Sequence, residues 1–336
     1  MKIHRSGIFV IFCAVYAWGQ GQRTFQGMNP NIGVIGDFSY ENHLNSSGQV
    51  GQFQFQEAEI SFRMVLDPFA RADYYVAVVP PEEAVELEEG FITLFSLPMS
   101  IQARIGHFRN AFGKFNLTHP PETPLTTTPL HLQHYFGDEG LAETGVSLST
   151  LVANPWDLFA ELSFDLLGGE NEVSFGGGNG DRFSYLWHLK SFIDISENSN
   201  VEFGLSTMAG PNDSLEAHTT RLFGGDLIYR WKPLAMGQYR SFTLQSEVLY
   251  SGRQTGDGEV NSYAVFLFSQ VQVAKRWFVG LSYDYAGFPD RKDDLEARIS
   301  ALATLWPSEF QTLKLQFSQT HRNFVSPKKV SSVYFQ

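Results

Sequence analysis

The sequence predicts an all-β fold, a transmembrane antiparallel up-and-down β-barrel of about 16 strands (14–18) with no plug domain. Three observations predict it. Apolar residues recur with period two rather than the helical 3.6. Short and long connections alternate along the chain. The N-terminus reads as an export signal, and no later stretch approaches 18 consecutive apolar residues, so no membrane-spanning helix is expected.

Taken in order, the chain starts with Lys2 and Arg5, an apolar run from Ile8 to Ala17, and small residues at Ala17 and Gly19 around Trp18. Charge, short apolar core and small-residue exit define a secretory signal over 1–19. The run is too short to cross a bilayer as a helix, which takes about 20 residues. Bulky Phe12 ahead of Cys13 disfavours a lipoprotein signal. A short lead over 20–30 precedes the barrel, expected over 31–336.

Candidate strands lie at 31–40, 51–65, 69–79, 85–96 and 100–107. After a long interruption they resume at 142–152, 156–166, 183–194, 200–210, 219–231, 239–251, 260–273, 276–286, 294–305, 309–320 and 330–336. The pattern is plain in Trp156, Leu158, Ala160, Leu162, Phe164 and Leu166, with Asp157, Glu161, Ser163 and Asp165 on the other face. It returns in Trp277, Val279, Leu281, Tyr283 and Tyr285 against Ser282 and Asp284, and in Leu313, Leu315 and Phe317 against Lys314, Gln316 and Ser318. Such strands have one greasy side and one wet side. Many reach about 10 residues, enough to cross a bilayer at a tilt of about 45°.

Tight connections are expected at Asp67-Pro68, Leu97-Pro98, Asn154-Pro155, Glu197-Asn198-Ser199, Lys232-Pro233, Ala274-Lys275 and Trp306-Pro307. Long ones are expected at 41–50, 108–141, 167–181, 211–218, 252–259, 287–293 and 321–329, with 80–84 the shortest of that set. Outer-membrane barrels sort their loops this way, with the short side periplasmic. Trp156, Trp187, Trp231, Trp277 and Trp306 fall near strand ends, as interfacial girdles do. Strand 330–336 is short and its last aromatic, Phe335, is penultimate, so either a truncated last strand or a shifted register is expected there.

Composition narrows the function. Cys13 is the only cysteine and leaves with the signal, which excludes disulfides, thiolate nucleophiles and cysteine metal sites in the mature chain. The formal charge of −12 becomes −14 once Lys2 and Arg5 are gone, which disfavours nucleic acid as a partner. Gly176-Gly177-Gly178-Asn179-Gly180 precedes a strand, not a helix, so it is a loop tip rather than a phosphate cradle. No short motif proposes a serine held against an oriented histidine. The chain is therefore read as no enzyme, with membrane lipid, the barrel-assembly machinery and small solutes or ions as its partners.

If apolar faces meet lipid, the opposite faces line the lumen. Their charges on the early strands are Glu57, Glu59, Arg63, Arg71, Asp73, Glu86, Glu88 and Arg104. Opposite signs on neighbouring strands would set a field across a wet pore and tune selectivity. The bland reading is that they pair across strands and hold the wall, at about 0.2–1 kcal/mol per pair. The longest connection, 108–141, is aromatic-rich, and a loop of that length is functional or disordered. In general porins the third loop folds inward and narrows the pore, and this third long loop resembles one, which implies Arg109, Lys114, His131 and His134 near the constriction. His119, His131 and His134 could alternatively bind zinc, although exposed histidines and carboxylates often only stay hydrated. Apart from that option no cofactor is expected.

The stretches FQFQEAEISFRMVLDPFARADYYVAV (53–78), QARIGHFRNAFGKFNLTHPPETPL (102–125) and HYFGDEGLAETGVSLS (134–149) resemble bacterial outer-membrane proteins related to phosphate-selective porins. Members are often labelled zinc-regulated TonB-dependent outer membrane receptors. The resemblance runs over roughly 30–320 and implies an outer-membrane barrel with a metal-linked transport role. A receptor plug ahead of the first strand is not expected, the lead before it being short. Passive diffusion of small hydrophilic solutes or ions is thus the leading expectation. A metal-related outer-membrane receptor and a secreted soluble β-sandwich adhesive module are the alternatives.

Overall fold

The computed structural model describes residues 30–44, 51–80, 84–119, 122–171, 173–176, 182–213, 218–326 and 328–336. The expected export signal over 1–19, most of the expected lead, and all but Gly176 of the glycine-rich run lie outside the described residues. The strands are β1 Asn31–His43, β2 Gln52–Asp67, β3 Ala70–Val79, β4 Ala84–Leu97, β5 Ile101–Arg109, β6 Ala142–Leu151, β7 Phe159–Leu167 and β8 Ser184–Ser196. They continue as β9 Ser199–Pro211, β10 Thr219–Trp231, β11 Phe242–Thr255, β12 Gly258–Ala274, β13 Trp277–Gly287, β14 Leu295–Ser308, β15 Gln311–Arg322 and β16 Lys329–Phe335. One helix, α1 Leu130–Phe136, sits between β5 and β6. Among the described residues no helix is long and apolar enough to cross a membrane.

Each strand pairs antiparallel with its sequence neighbours, and β1 pairs with β16, closing a 16-strand up-and-down barrel. Closure follows from solvation: in hydrocarbon an unpaired strand N–H or C=O costs several kcal/mol. The seam between β1 and β16 is short, from Tyr40 opposite Phe335 to His43 opposite Ser332. His43 and Ser332 add a side-chain hydrogen bond of 2.7 Å. The short β16 nevertheless pairs continuously with β15, from Leu315–Phe335 to His321–Lys329, and Gln336 continues the ladder with Lys314. The register is regular there.

Burial is inverted relative to a water-soluble protein, and this is the mark of a barrel made for lipid. In β13, Trp277, Val279, Leu281 and Tyr283 are exposed while Ser282, Asp284 and Ala286 are buried. In β15, Leu313, Leu315 and Phe317 face out, and Lys314, Gln316 and Ser318 face in. Trp231, Trp277 and Trp306 stand at strand ends on the rim of the 232–241, 275–276 and 309–310 connections, where an amphipathic ring suits the interface.

Three expected connections differ. The long loop expected at 252–259 is instead a hairpin of residues 256–257, because Arg253, Gln254 and Thr255 pair with Val260, Glu259 and Gly258 and carry the ladder beyond the rim. Gly258 takes φ 134°, which a side chain would resist. The tight turn expected at Lys232-Pro233 is the longer segment 232–241, in which Met236 N–H donates to Pro233 O and Arg240 N–H to Met236 O. The strand expected from Trp156 begins at Phe159 instead. There the Asn154 carboxamide accepts hydrogen bonds from Trp156 N–H and Leu158 N–H, an Asx turn that competes with the ladder.

Candidate functional site

The lumen is occupied by the chain between β5 and β6. After Arg109 the backbone turns inward at Gly113 (φ 68°), makes a short 3-10 turn at Phe115–Leu117, and later forms α1. Pro129, with φ −58°, leads into the helix. Gly137, at φ 96°, ends it, with its N–H donating to Gln133 O.

This segment is bonded to strands all around the ring. Gly113 N–H donates to Ser206 Oγ (3.1 Å), and Phe115 N–H to Glu247 Oε1 (2.7 Å). Leu130 N–H donates to Asp284 Oδ1 (3.0 Å), and Thr126 N–H to Gln316 Oε1 (3.0 Å). Arg298 Nη2 donates to Thr128 O at 2.6 Å, and Tyr135 OH to Ser262 Oγ at 2.9 Å. Asn110 Nδ2 reaches Asp165 at 3.2 Å. Inward-facing side chains thus supply partners for a loop backbone that would otherwise be buried unpaired.

Apolar contacts complete the seat. Phe112, Phe115, Leu130, Leu132, Tyr135 and Phe136 of the segment join Leu186, Met208, Leu222, Leu249, Phe266 and Phe268 of the wall in one buried cluster. Phe115 and Phe266 meet edge to face at 5.3 Å, and Phe112 and Phe136 at 5.2 Å. Such ring pairs contribute about 0.5–1.5 kcal/mol beyond area burial. β12 is therefore apolar on both faces, with Tyr263 and Leu267 outside and Phe266 and Phe268 inside.

What remains open is a cavity of about 1070 Å³ on the opposite side, between the segment and the wall of β14, β15, β16, β1, β2, β4 and β5. Its described lining holds eight Asp or Glu residues, three arginines, two histidines and no lysine, so the wall is acidic. Among the lining charges, Glu57, Glu86 and Glu88 lie on β2 and β4, and Arg298 and Arg322 on β14 and β15.

The residues singled out from sequence separate into groups. Glu57, Glu86 and Glu88 border the cavity, and so does Arg109, whose Nη1 also holds Glu139 O at 2.7 Å. Arg63 and Arg71 both grip the buried Asp73, each at 2.7 Å, so these three follow the wall-holding reading. Arg104 lies over the Phe108 ring at 4.7 Å. Lys114, His131 and His134, expected near the constriction, each reach a wall carboxylate and anchor the segment. Lys114 pairs with Glu202 at 2.8 Å, His131 with Glu247 at 3.0 Å and His134 with Glu296 at 3.2 Å.

The three histidines do not form the expected common metal site, because each is drawn to a carboxylate on a different part of the wall. His119 goes to Glu59, Glu88 and Glu89, on β2 and β4. Burial alone would pull its pKa down, but the closeness of these carboxylates holds it up at about 11. Glu202, Glu247, Asp284, Glu296 and Gln316, which seat the segment, were missed as functional residues. Their signal was the wet-face position of a polar residue in a strand, which does not say what that residue meets.

No protein-family model matches the chain. A relative of uncharacterised function from Aquifex aeolicus (strain VF5) is 27% identical over 319 residues, covering 82% of this chain. The match spans 65% of that relative's length. Solved structures with the same fold include an anion-selective porin from Comamonas acidovorans, at TM-score 0.60 and 10% identity over 91% of this chain and 98% of that one. OprB of Pseudomonas putida is similar at TM-score 0.60 and 8% identity, covering 93% and 94% of the two chains. OmpT of Vibrio cholerae is similar at TM-score 0.59 and 6% identity, covering 91% and 98%. The fold is that of the outer-membrane porins. The phosphate-selective and TonB-receptor labels carried by the sequence resemblance find no support in these neighbours, and the closed ring replaces the β-sandwich alternative.

Proposed function

We propose that the protein is a bacterial outer-membrane diffusion channel that admits small hydrophilic solutes and prefers cations, with the 108–141 segment narrowing the passage. The observation that carries this reading is the acidic lining of the remaining cavity, eight carboxylates against three guanidinium groups. Rings of carboxylates in a confined, low-dielectric passage raise the local concentration of cations and oppose anions. The lipid-facing outer wall supports the location, and the reading assigns the chain no covalent chemistry.

The test is the reversal potential of the folded protein in a planar bilayer under a potassium chloride gradient. A potential of the sign set by potassium moving faster than chloride is expected. A folded protein that opens no pore, or one that passes chloride faster, overturns the reading.

A further inference from the structure

The segment crosses from the packed side of the lumen to the open side, and His119 lies at that crossing. Its Nε2 is 2.7 Å from Glu89 Oε1, and the other oxygen of Glu89 accepts the Arg109 backbone N–H at 2.9 Å. Glu89 is thus fixed at both oxygens and holds the ring with Nε2–H donating. Tyr75 stacks on the same ring at 4.3 Å and sets its plane. The remaining nitrogen, Nδ1, points at Glu59 Oε2 (3.4 Å) and Glu88 Oε2 (3.6 Å).

All three of these atoms are buried, and none has a hydrogen bond of good geometry. Glu59 is only 3% exposed. A single imidazolium proton at Nδ1 cannot form a good hydrogen bond to both oxygens, and a buried carboxylate oxygen without one is costly, so the arrangement suits a divalent cation in that proton's place. The three donor atoms lie within 4.8 Å of one another. A tetrahedral centre bound at about 2.0–2.2 Å places its ligands about 3.3–3.6 Å apart, which matches the two Nδ1 distances.

We propose that Glu59, Glu88 and His119 form a divalent-metal site, with Glu89 as the outer carboxylate that orients the imidazole. One nitrogen and two oxygens suit zinc and its neighbours in the first transition row better than calcium or magnesium, which take oxygen alone. A carboxylate on the far nitrogen of a ligating histidine is the usual outer partner in such sites. Glu88 borders the open cavity, which gives an ion a route in from water. The metal would tie the inward segment to β2 and β4, beside Tyr75 at the edge of the apolar cluster, and would set two positive charges against carboxylates that now share one imidazole.

Chelator-treated protein, folded in detergent as shown by heat-modifiable gel mobility, is titrated with zinc chloride in a calorimeter. About one equivalent of zinc should bind, and His119→Ala should weaken it by roughly a hundredfold or abolish it. Glu59→Gln and Glu88→Gln should each weaken it at least tenfold, the scale on which even outer partners act. His321→Ala, at the exposed end of β15, should bind as the wild type does. Absence of zinc binding by the folded wild type overturns the site. So does unchanged affinity in His119→Ala or, if that variant fails to fold, in both glutamine variants. The readout needs no pore, so a chain that binds zinc but conducts nothing keeps this site and loses the channel reading.

Discussion

The two sides of the lumen obey different rules. From β8 to β12 the inner wall carries Leu186, Met208, Leu222, Leu249, Phe266 and Phe268, and the inward segment is packed on it as on a protein core. From β14 round to β5 the inner wall is charged and open to water. The outer face is apolar on both sides: Leu205 lies outside β9 and Leu315 outside β15. Lipid imposes one requirement on the whole exterior, whereas the interior is set by whatever each stretch of wall meets.

Breaking the packed side should have the largest effect. Phe266→Ala empties a fully buried position against Phe115 and His131, and large-to-small changes of that kind cost about 3–5 kcal/mol. Denaturant unfolding of the detergent-folded protein would show the loss, and single-channel traces should become noisy as the segment loosens. Asp284→Ala should be nearly as costly. It strands the buried Arg298 and leaves Leu130 N–H without an acceptor, and removing one partner of a buried ion pair costs about 3–5 kcal/mol, less where water reaches the survivor.

The shared exterior gives the next test. Leu205→Arg and Leu315→Arg should each destabilise by about 2–4 kcal/mol in folding into lipid vesicles if they sit near the membrane centre. Clearly unequal losses would mean that the two sides do not share one lipid-facing band. On the open side, Glu86→Lys takes the net charge of the lining from −5 to −3 with histidines neutral, and should lower the cation-to-anion permeability ratio without changing stability. Arg291→Ala, which removes exposed pairs with Asp290 and Asp294, should cost at most about 1 kcal/mol.

The fold was legible because the membrane enforces a period of two. Val279, Leu281 and Tyr283 announce their strand locally, and the observed strand bounds lie within a few residues of the expected ones. The seating of the segment was not legible in the same way. Leu130 finds Asp284, and Thr126 finds Gln316, across long stretches of sequence with no local pattern to mark the pairing. One signal was present: Tyr263-Ala264-Val265-Phe266-Leu267-Phe268 is an unbroken apolar run, and a strand apolar on both faces needs something other than water on its inner side. Likewise, the histidines of 119–134 were readable as ligand candidates, but only the fold shows that Glu59 and Glu88 stand beside the first of them.

The placement of the 108–141 segment inside the ring is tested most directly by cross-linking between neighbouring positions of opposite facing. In a background with Cys13 changed to Ser, Thr126→Cys is combined with either Gln316→Cys or Leu315→Cys, and the folded proteins are treated with a short bis-maleimide. Because Gln316 faces inward onto Thr126 and Leu315 faces outward, the first pair should link within one chain in high yield and the second should not. Equal yields, or a link only through position 315, would contradict the account.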